Sequence, residues 1–309
     1  MAMTTAFVFP GQGSQSVGML STFADENVVR ETFAEARDAL GYDLWALCQH
    51  GPETDLNVTW RTQPALLTAS VALYRLWLSR DGAQPALLAG HSLGEYSALV
   101  CSGALAFADA VKLVEARGKF MQEAVPEGQG KMAAILGLDD ADIQAACDES
   151  AQGEVVAPVN FNSPGQVVIA GNAAAVERAM EACKAKGAKR ALPLNVSAPS
   201  HCLLMKPAAE RLATLLQQIT INMPAISVIN NVDVAIETDP AKIRDALVRQ
   251  LYRPVRWTES VQALAASGVT RLIECGSGAV LAGLAKRINK ELTATSVQDK
   301  TAFDAALAG

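Results

Sequence analysis

The chain has 309 residues, which at roughly 150 residues per domain predicts two domains or one large domain with an insertion. Hydrophobic residues make up 50% of the chain and charged residues 19%, which excludes disordered, collagen-like and coiled-coil proteins. The net charge of −6 argues against a protein that binds nucleic acid by neutralising phosphates, and the six cysteines form no CxxC pair that would indicate a zinc framework.

Neither a targeting segment nor a membrane span is predicted. Asp25 is the first charged residue, so the N-terminus lacks the basic start of a signal peptide. Amide side chains and a proline interrupt the uncharged stretch 212–232, and lipid would leave their polar groups unsatisfied. We therefore expect a soluble, cytoplasmic protein with reduced thiols.

Strands and helices alternate through the first part of the chain. Apolar runs at 6–9 and 86–89, which end at Pro10-Gly11 and at Gly90, predict two buried strands. Helical patterns cover 28–40, 64–78, 96–105 and 107–124. Strands separated by helices favour an α/β fold with a mostly parallel sheet.

The middle of the chain predicts a small subdomain, 127–198, inserted into the main one. Strands at 132–136, 155–161, 167–170 and 190–194 and helices at 140–150 and 173–186 give the order βαββαβ, which is typical of ferredoxin-like folds. The main domain would then comprise 1–126 and 199–309. In its second part, strands at 226–230 and 270–274 and helices at 241–251 and 258–267 resume the α/β pattern.

The sequence Gly90-His91-Ser92-Leu93-Gly94 lies between a predicted strand and a predicted helix. This is the context of the GxSxG nucleophile elbow of an α/β-hydrolase-like fold, in which the serine hydroxyl projects from a sharp turn at the positive end of a helix dipole. The Leu93 N–H would then point at an oxyanion formed on an attacked carbonyl. The alternative is a glycine-rich turn with an incidental serine.

A serine nucleophile needs a base, and the chain has three histidines. His50 lies in a polar stretch that predicts a surface loop. His91 adjoins Ser92, so its side chain is expected to diverge from the hydroxyl, although it can still line the pocket. His201 follows the predicted insertion, at a domain junction where pockets form, and is therefore the expected base. The alternative is a buried junction histidine without a catalytic role.

The third member of a triad stays open, because no acidic residue between Ser92 and His201 stands at an obvious strand end. The helix that ends before Pro254 leaves its last carbonyls without helical partners, and Gln250 lies in that last turn. The Gln250 carbonyl would accept a hydrogen bond from His201 Nδ1 and fix the tautomer.

Two further residues have both a chemical and a structural interpretation. Gln12 follows the first strand and would supply a second oxyanion N–H, or lie in a plain strand-to-helix turn. Arg117 interrupts an apolar helix face that includes Leu113 and Met121, and a buried guanidinium needs an anion. An internal pair with a glutamate, or a guanidinium that reaches water, remain alternatives for Arg117.

Together these motifs resemble the malonyl-CoA:acyl carrier protein transacylase family of bacterial fatty acid synthesis. The similarity runs in order over essentially the whole chain and is that of a stand-alone enzyme. The matching stretches are Phe9-Pro10-Gly11-Gln12-Gly13-Ser14-Gln15, Gln63-Pro64-Ala65, Gly90-His91-Ser92-Leu93-Gly94-Glu95, Arg117-Gly118, Asn160-Phe161-Asn162-Ser163-Pro164, Pro199-Ser200-His201, Asn230-Asn231-Val232-Asp233, Gln250-Leu251 and Glu274-Cys275-Gly276.

The resemblance implies an acyltransferase that moves a malonyl group from malonyl-CoA to acyl carrier protein through a malonyl-serine, without a metal or redox cofactor. It implies Ser92 as nucleophile, His201 as base in a dyad, Arg117 as ligand of the malonyl carboxylate, the N–H groups of Gln12 and Leu93 as oxyanion hole, and Gln250 as the residue that orients His201. The pocket residues that it implies are Gln63, His91, Met121, Asn160 and Asn162.

The expected partners are a coenzyme A thioester and acyl carrier protein, with the enzyme as a monomer and no nucleic acid or membrane bound. Because both proteins are acidic, local positive charge must guide docking, and the candidate docking residues are Lys189, Arg190, Lys286 and Arg287. A solvated helix face is the alternative for them. A serine hydrolase such as a thioesterase and a non-catalytic carrier-binding protein are the competing functions.

Overall fold

The computed structural model describes residues 4–196 and 198–309, so residues 1–3 and Ser197, near the end of the predicted insertion, lie outside the described residues. The strands in these ranges are β1 (Thr5–Phe9), β2 (Leu87–Gly90), β3 (Gly130–Leu136), β4 (Val156–Ser163), β5 (Gln166–Asn172), β6 (Arg190–Pro193), β7 (Ser227–Ile229), β8 (Arg271–Glu274) and β9 (Thr293–Ser296). The helices are α1 (Asn27–Leu40), α2 (Leu44–His50), α3 (Glu53–Leu56), α4 (Thr59–Ser79), α5 (Gly94–Cys101), α6 (Phe107–Ala124), α7 (Asp140–Ala151), α8 (Ala173–Ala185), α9 (Lys206–Leu216), α10 (Pro240–Gln250), α11 (Trp257–Ala266), α12 (Val280–Ile288) and α13 (Lys300–Ala308).

The main sheet has five parallel strands in the order β7-β2-β1-β8-β9. Its central strands are apolar on both sides because packed layers cover both faces. In β1, Phe7 and Phe9 belong to one core, whereas Ala6 and Val8 belong to the other. Since β1 and β2 are parallel neighbours, the loops that follow them lie together at one edge of the sheet. The predicted parallel α/β fold is confirmed.

The second sheet is antiparallel, with the order β4-β5-β3-β6, and its elements follow the chain order βαββαβ. Helices α7 and α8 cover one face, where Ala133 and Ile135 of β3 are buried. The other face carries Met132 and Val168, which pack with Cys202 from the segment that returns to the main sheet. This face lines a cleft between the two sheets. The bounds 127–198 for the inserted unit stay a prediction.

Every strand and helix that the sequence predicts has a counterpart in the structure. The elements that it missed are α2, α3, α9, α12, α13 and β9. Most of these are short, and β9 has the weakly apolar sequence Thr-Ala-Thr-Ser at the edge of the sheet. The predicted surface position of His50 is confirmed, but the predicted loop is wrong for this residue, because His50 is the exposed last residue of α2 and the loop begins at Gly51. Within the described residues, no helix is long and apolar enough to cross a membrane.

Candidate active site

Ser92 lies in the tight turn from β2 to α5, with a φ of 51° in the left-handed region. Glycine is needed on both sides of it because the backbones are in close contact. A Cβ on Gly90 would lie 1.9 Å from the Gly94 carbonyl oxygen, and a Cβ on Gly94 would lie 2.0 Å from the Phe9 carbonyl oxygen. The turn therefore has the strained geometry that holds a serine hydroxyl clear of a sheet.

His201 lies beside Ser92, and its Nε2 is 2.7 Å from Ser92 Oγ. Its Nδ1 is 2.7 Å from the Gln250 carbonyl oxygen at the end of α10, so Nδ1 carries the proton and Nε2 is free to accept one. Burial and the neighbouring charge of Arg117 lower the pKa of His201 to about 3. The imidazole is therefore neutral around pH 7.

Arg117, on α6, directs its guanidinium at the same hydroxyl and is 1% exposed. Nη1 donates to Gln63 Oε1 at 2.8 Å, and Nη2 donates to Gln250 Oε1 at 3.0 Å and to Ser92 Oγ at 3.3 Å. The guanidinium also lies over the Tyr96 ring, 5.3 Å from its centroid. Among the residues that the structure describes, none forms an ion pair with Arg117, so the expected alternative of an internal glutamate pair is wrong.

The two residues that carry the candidate oxyanion donors, Gln12 and Leu93, line the same cavity as Ser92. Leu93 directly follows Ser92 and stands at the N-terminus of α5, where backbone N–H groups lack helical partners. The loop that carries Gln12 packs against the elbow, because a Cβ on Gly11 would lie 2.5 Å from the His91 carbonyl oxygen. The Gln12 side chain is 3.4 Å from Thr59 Oγ1.

A cavity of about 100 Å³ opens onto the hydroxyl from the cleft between the two sheets. Eight of the residues singled out in the sequence line it: Gln12, His91, Ser92, Leu93, Arg117, Met121, Asn160 and His201. Gln63 and Asn162 do not line the cavity but contact residues that do. Gln63 contacts Arg117 and Met121, and Asn162 Oδ1 is 2.7 Å from His91 Nε2.

Sequence reasoning missed two buried residues behind the elbow, Asn231 and Glu95. The Asn231 side chain accepts a hydrogen bond from the Ser92 N–H at 2.8 Å and donates one to the Gly90 carbonyl at 2.7 Å. Burial raises the pKa of Glu95 to about 7. A glutamate in the short apolar helix α5, and two asparagines directly after a buried strand, were the available signals.

The candidate docking residues are all exposed, and two of them, Arg190 and Arg287, lie at one row of the second sheet. Arg190 on β6 is paired with Leu136 on β3, and Leu136 is paired with Gln166 on β5. Gln166 Oε1 accepts a hydrogen bond from Arg287 Nη1 at 2.9 Å. Arg190, Leu136 and Gln166 thus form a row across three neighbouring strands, which are about 4.8 Å apart, so the row is short. Arg190 places a positive charge at one end of it and Arg287 places one at the other. Lys189 adjoins Arg190, and Lys286 adjoins Arg287.

The chain is similar to known proteins over nearly all of its length. The acyl transferase domain family matches residues 6–304. The chain is 68% identical over 303 residues to the malonyl CoA-acyl carrier protein transacylase of Salmonella typhimurium, which covers 98% of each chain. It is 46% identical over 304 residues to the Bacillus subtilis protein of the same name, which covers 98% of this chain and 96% of that one.

Solved structures give the same result. An acyl carrier protein S-malonyltransferase from Vibrio cholerae is 63% identical, with a TM-score of 0.96 over 98% of this chain and 99% of that one. A malonyl-transacylase solved in complex with a type II polyketide synthase acyl-carrier protein is 61% identical, with a TM-score of 0.98 over 99% of each chain.

Proposed function

Because this chain belongs to the acyl transferase family, among the malonyl CoA-acyl carrier protein transacylases, we propose that its malonyl transfer uses Ser92 as nucleophile and His201 as base. The enzyme moves the malonyl group from malonyl-CoA to acyl carrier protein for fatty acid synthesis. The observation that carries the residue roles is the hydrogen-bonded row from Ser92 Oγ through the His201 ring to the Gln250 carbonyl.

In the first half-reaction, Ser92 Oγ attacks the thioester carbonyl, and its proton passes to His201 Nε2. The Gln250 carbonyl holds Nδ1–H and so stabilises the imidazolium that forms, in place of an acidic third residue. The N–H groups of Gln12 and Leu93 bind the oxyanion of the tetrahedral intermediate. When the C–S bond breaks, the thiolate of coenzyme A takes the proton from His201, and the malonyl-serine ester remains.

Arg117 binds the free carboxylate of the malonyl group. Its Nη2 is already 3.3 Å from the hydroxyl that carries the acyl chain, so a three-carbon diacid attached there reaches the guanidinium. An acetyl group would leave the buried cation unpaired, which is the source of selectivity. The carboxylate also neutralises a charge that lowers the pKa of His201, so malonyl binding makes the base stronger.

In the second half-reaction, the phosphopantetheine thiol of the carrier attacks the malonyl-serine. His201 takes the thiol proton and returns it to Ser92 Oγ as the ester bond breaks. Carrier docking is assigned to Lys189, Arg190, Lys286 and Arg287, which are exposed, whereas the nearby Lys184 and Lys186 are paired with glutamates. We further propose that the enzyme acts as a cytoplasmic monomer, without a metal or redox cofactor, nucleic acid or membrane.

The test is intact mass spectrometry after brief mixing with malonyl-CoA, with acetyl-CoA in parallel. We expect a malonyl adduct that is absent in Ser92→Ala, forms far more readily than an acetyl adduct, and disappears when holo-carrier is added. An adduct that water clears as fast as the carrier does would indicate a hydrolase. If the chain binds carrier and never forms an adduct, it is a binding protein and the proposed roles are wrong.

A further inference from the structure

Glu95 is a buried carboxylate directly behind the nucleophile, on the first turn of α5, and is 3% exposed. Its Oε2 accepts one hydrogen bond from the Asn231 N–H at 2.9 Å and another from Gln250 Nε2 at 2.8 Å. Glu95 thereby joins α5 to the segment after β7 and to the last turn of α10. It makes no hydrogen bond to Ser92 Oγ or to His201, so any effect on the reaction passes through its partners.

Gln250 is the partner of Glu95 that contacts both Arg117 and His201, whereas the other partner, Asn231, contacts the Ser92 backbone. A carboxylate only accepts hydrogen bonds and a guanidinium only donates them, so the Gln250 amide has one favourable orientation between the two. Its Oε1 accepts from Arg117 Nη2 at 3.0 Å, and its Nε2 donates to Glu95 Oε2 at 2.8 Å, its shortest contact. Longer contacts join Nε2 to the Ser92 carbonyl oxygen, at 3.1 Å, and to Asn231 Oδ1, at 3.2 Å. The backbone carbonyl of the same residue accepts from His201 Nδ1. A shift of Gln250 would therefore disturb both Arg117 and His201.

The charge of Glu95 acts on the same site. Arg117 has neutral hydrogen-bond acceptors in the described structure, and Glu95 lies just beyond one of them, the Gln250 amide. A malonyl carboxylate bound to Arg117 would be a second negative charge on that buried cation. Glu95 would weaken its binding, because like charges repel strongly where water is excluded.

This inference rests on the function proposed above. We propose that Glu95 is a positioning residue for malonyl transfer: its carboxylate orients Gln250 so that the amide oxygen binds Arg117 and the backbone carbonyl holds His201. Two effects follow and are separable. The hydrogen bonds of Glu95 support the rate of acyl transfer, and its negative charge limits the affinity for the malonyl carboxylate.

Two variants separate these effects. Glu95→Gln keeps an oxygen that can accept both hydrogen bonds but removes the charge, whereas Glu95→Asp keeps the charge and withdraws the oxygen by one methylene. Glu274→Gln is the matched control, because Glu274 is also a fully buried glutamate whose pKa is raised to about 7 by burial, yet it caps α12 away from the cavity. The measurements are kcat and KM for malonyl-CoA and acetyl-CoA at about pH 8, where a carboxyl with a pKa of about 7 is mostly ionised.

We expect E95D to lose about tenfold or more in kcat, the loss typical of a hydrogen bond to a charged group. We expect E95Q to keep kcat within about threefold of wild type and to lower KM for malonyl-CoA about threefold or more, with KM for acetyl-CoA unchanged. E274Q should match wild type in all four constants. Thermal unfolding of each variant shows that the comparison is between folded proteins.

Either of two results would overturn the inference: E95D with wild-type kinetics, or E95Q as slow as E95D. The proposed function would remain intact in both cases, provided that the wild-type protein forms the malonyl adduct on Ser92. If E95D does not fold, E95Q decides alone, and an unchanged KM for malonyl-CoA overturns the inference. A wild-type protein that forms no adduct on Ser92 overturns the proposed function, and this inference with it.

Discussion

Replacement of Arg117 by methionine tests the source of selectivity most directly. The side chain keeps its length and apolar stem but loses the guanidinium that contacts Gln63, Gln250 and Ser92 Oγ. Removing one partner of a buried, hydrogen-bonded charge pair costs about 3–5 kcal/mol. At about 1.4 kcal/mol per factor of ten, kcat/KM for malonyl-CoA should fall about 10²- to 4 × 10³-fold. Acetyl-CoA offers no carboxylate, so its kcat/KM should change by less than about tenfold.

The effect of Arg117→Met on stability is expected to be much smaller than its effect on malonyl transfer. Two buried amide oxygens lose a hydrogen bond, at about 1–3 kcal/mol each, but a buried charge that has no direct ion-pair partner among the described residues is also removed. These terms oppose each other, so the free energy of unfolding should fall by no more than about 3 kcal/mol.

The assay is coenzyme A release from malonyl-CoA and acetyl-CoA, with urea unfolding of the same samples. Arg271→Met is the matched control, because Arg271 caps the end of α13 from the first residue of β8 and lies outside the cavity lining. An equal loss for both thioesters would refute the reasoning, since Arg117 would then act on Ser92 or His201 in general. An unchanged preference for malonyl-CoA would refute it as well.

Three further outcomes are expected. Burial and Arg117 lower the pKa of His201 to about 3, so at saturating malonyl-CoA the burst of coenzyme A release should stay within about threefold from about pH 8 to 5. That margin covers protonation of Glu95, whose pKa is about 7, and a larger loss of rate centred near 6.5 would contradict the prediction for His201. Because folding lowers the pKa of His201, its contribution to the free energy of unfolding is fully present above about pH 6.5 and is lost as the pH falls below that value. Gly94→Ala should lower the free energy of urea unfolding by about 3 kcal/mol or more, because the new Cβ would lie 2.0 Å from the Phe9 carbonyl oxygen. A urea unfolding midpoint equal to that of the wild type would disprove the close contact. Charge reversal of Lys189 and Arg190 should raise KM for carrier protein without affecting acylation by malonyl-CoA, whereas an unchanged carrier KM would remove these residues from the docking surface.

Much of the fold was predictable because its signals are local. The strand, tight turn and helix around Ser92 occupy a short stretch, and two glycines within it mark where backbones touch. Gln250 was identifiable as the end of a helix because a proline follows four residues later. Short elements such as α3 and the edge strand β9 were missed, because their few residues carry little periodic signal and owe their structure to packing.

The candidate site was predictable only in part. Its residue types could be named, and Ser92 and His201 could be paired by elimination among three histidines. The partners of Arg117 could not be predicted, because an interrupted apolar helix face indicates a buried charge without indicating what neutralises it. Glu95 and Asn231 were missed for the same reason, since each is a polar residue in a segment that otherwise reads as buried core.

The sequence by itself thus determined the parallel α/β framework, the elbow and the residue types available for acyl transfer, because each depends on neighbours within a few residues. Only the tertiary structure decided which groups meet. Ser92 and His201 are 109 residues apart, and Arg117 meets Gln63 and Gln250 across 54 and 133 residues. These contacts arise because α4, α6 and α10 pack around the turn from β2 to α5. No local pattern in the chain encodes the distances between these groups, or the orientation of the Gln250 amide between a carboxylate and a guanidinium.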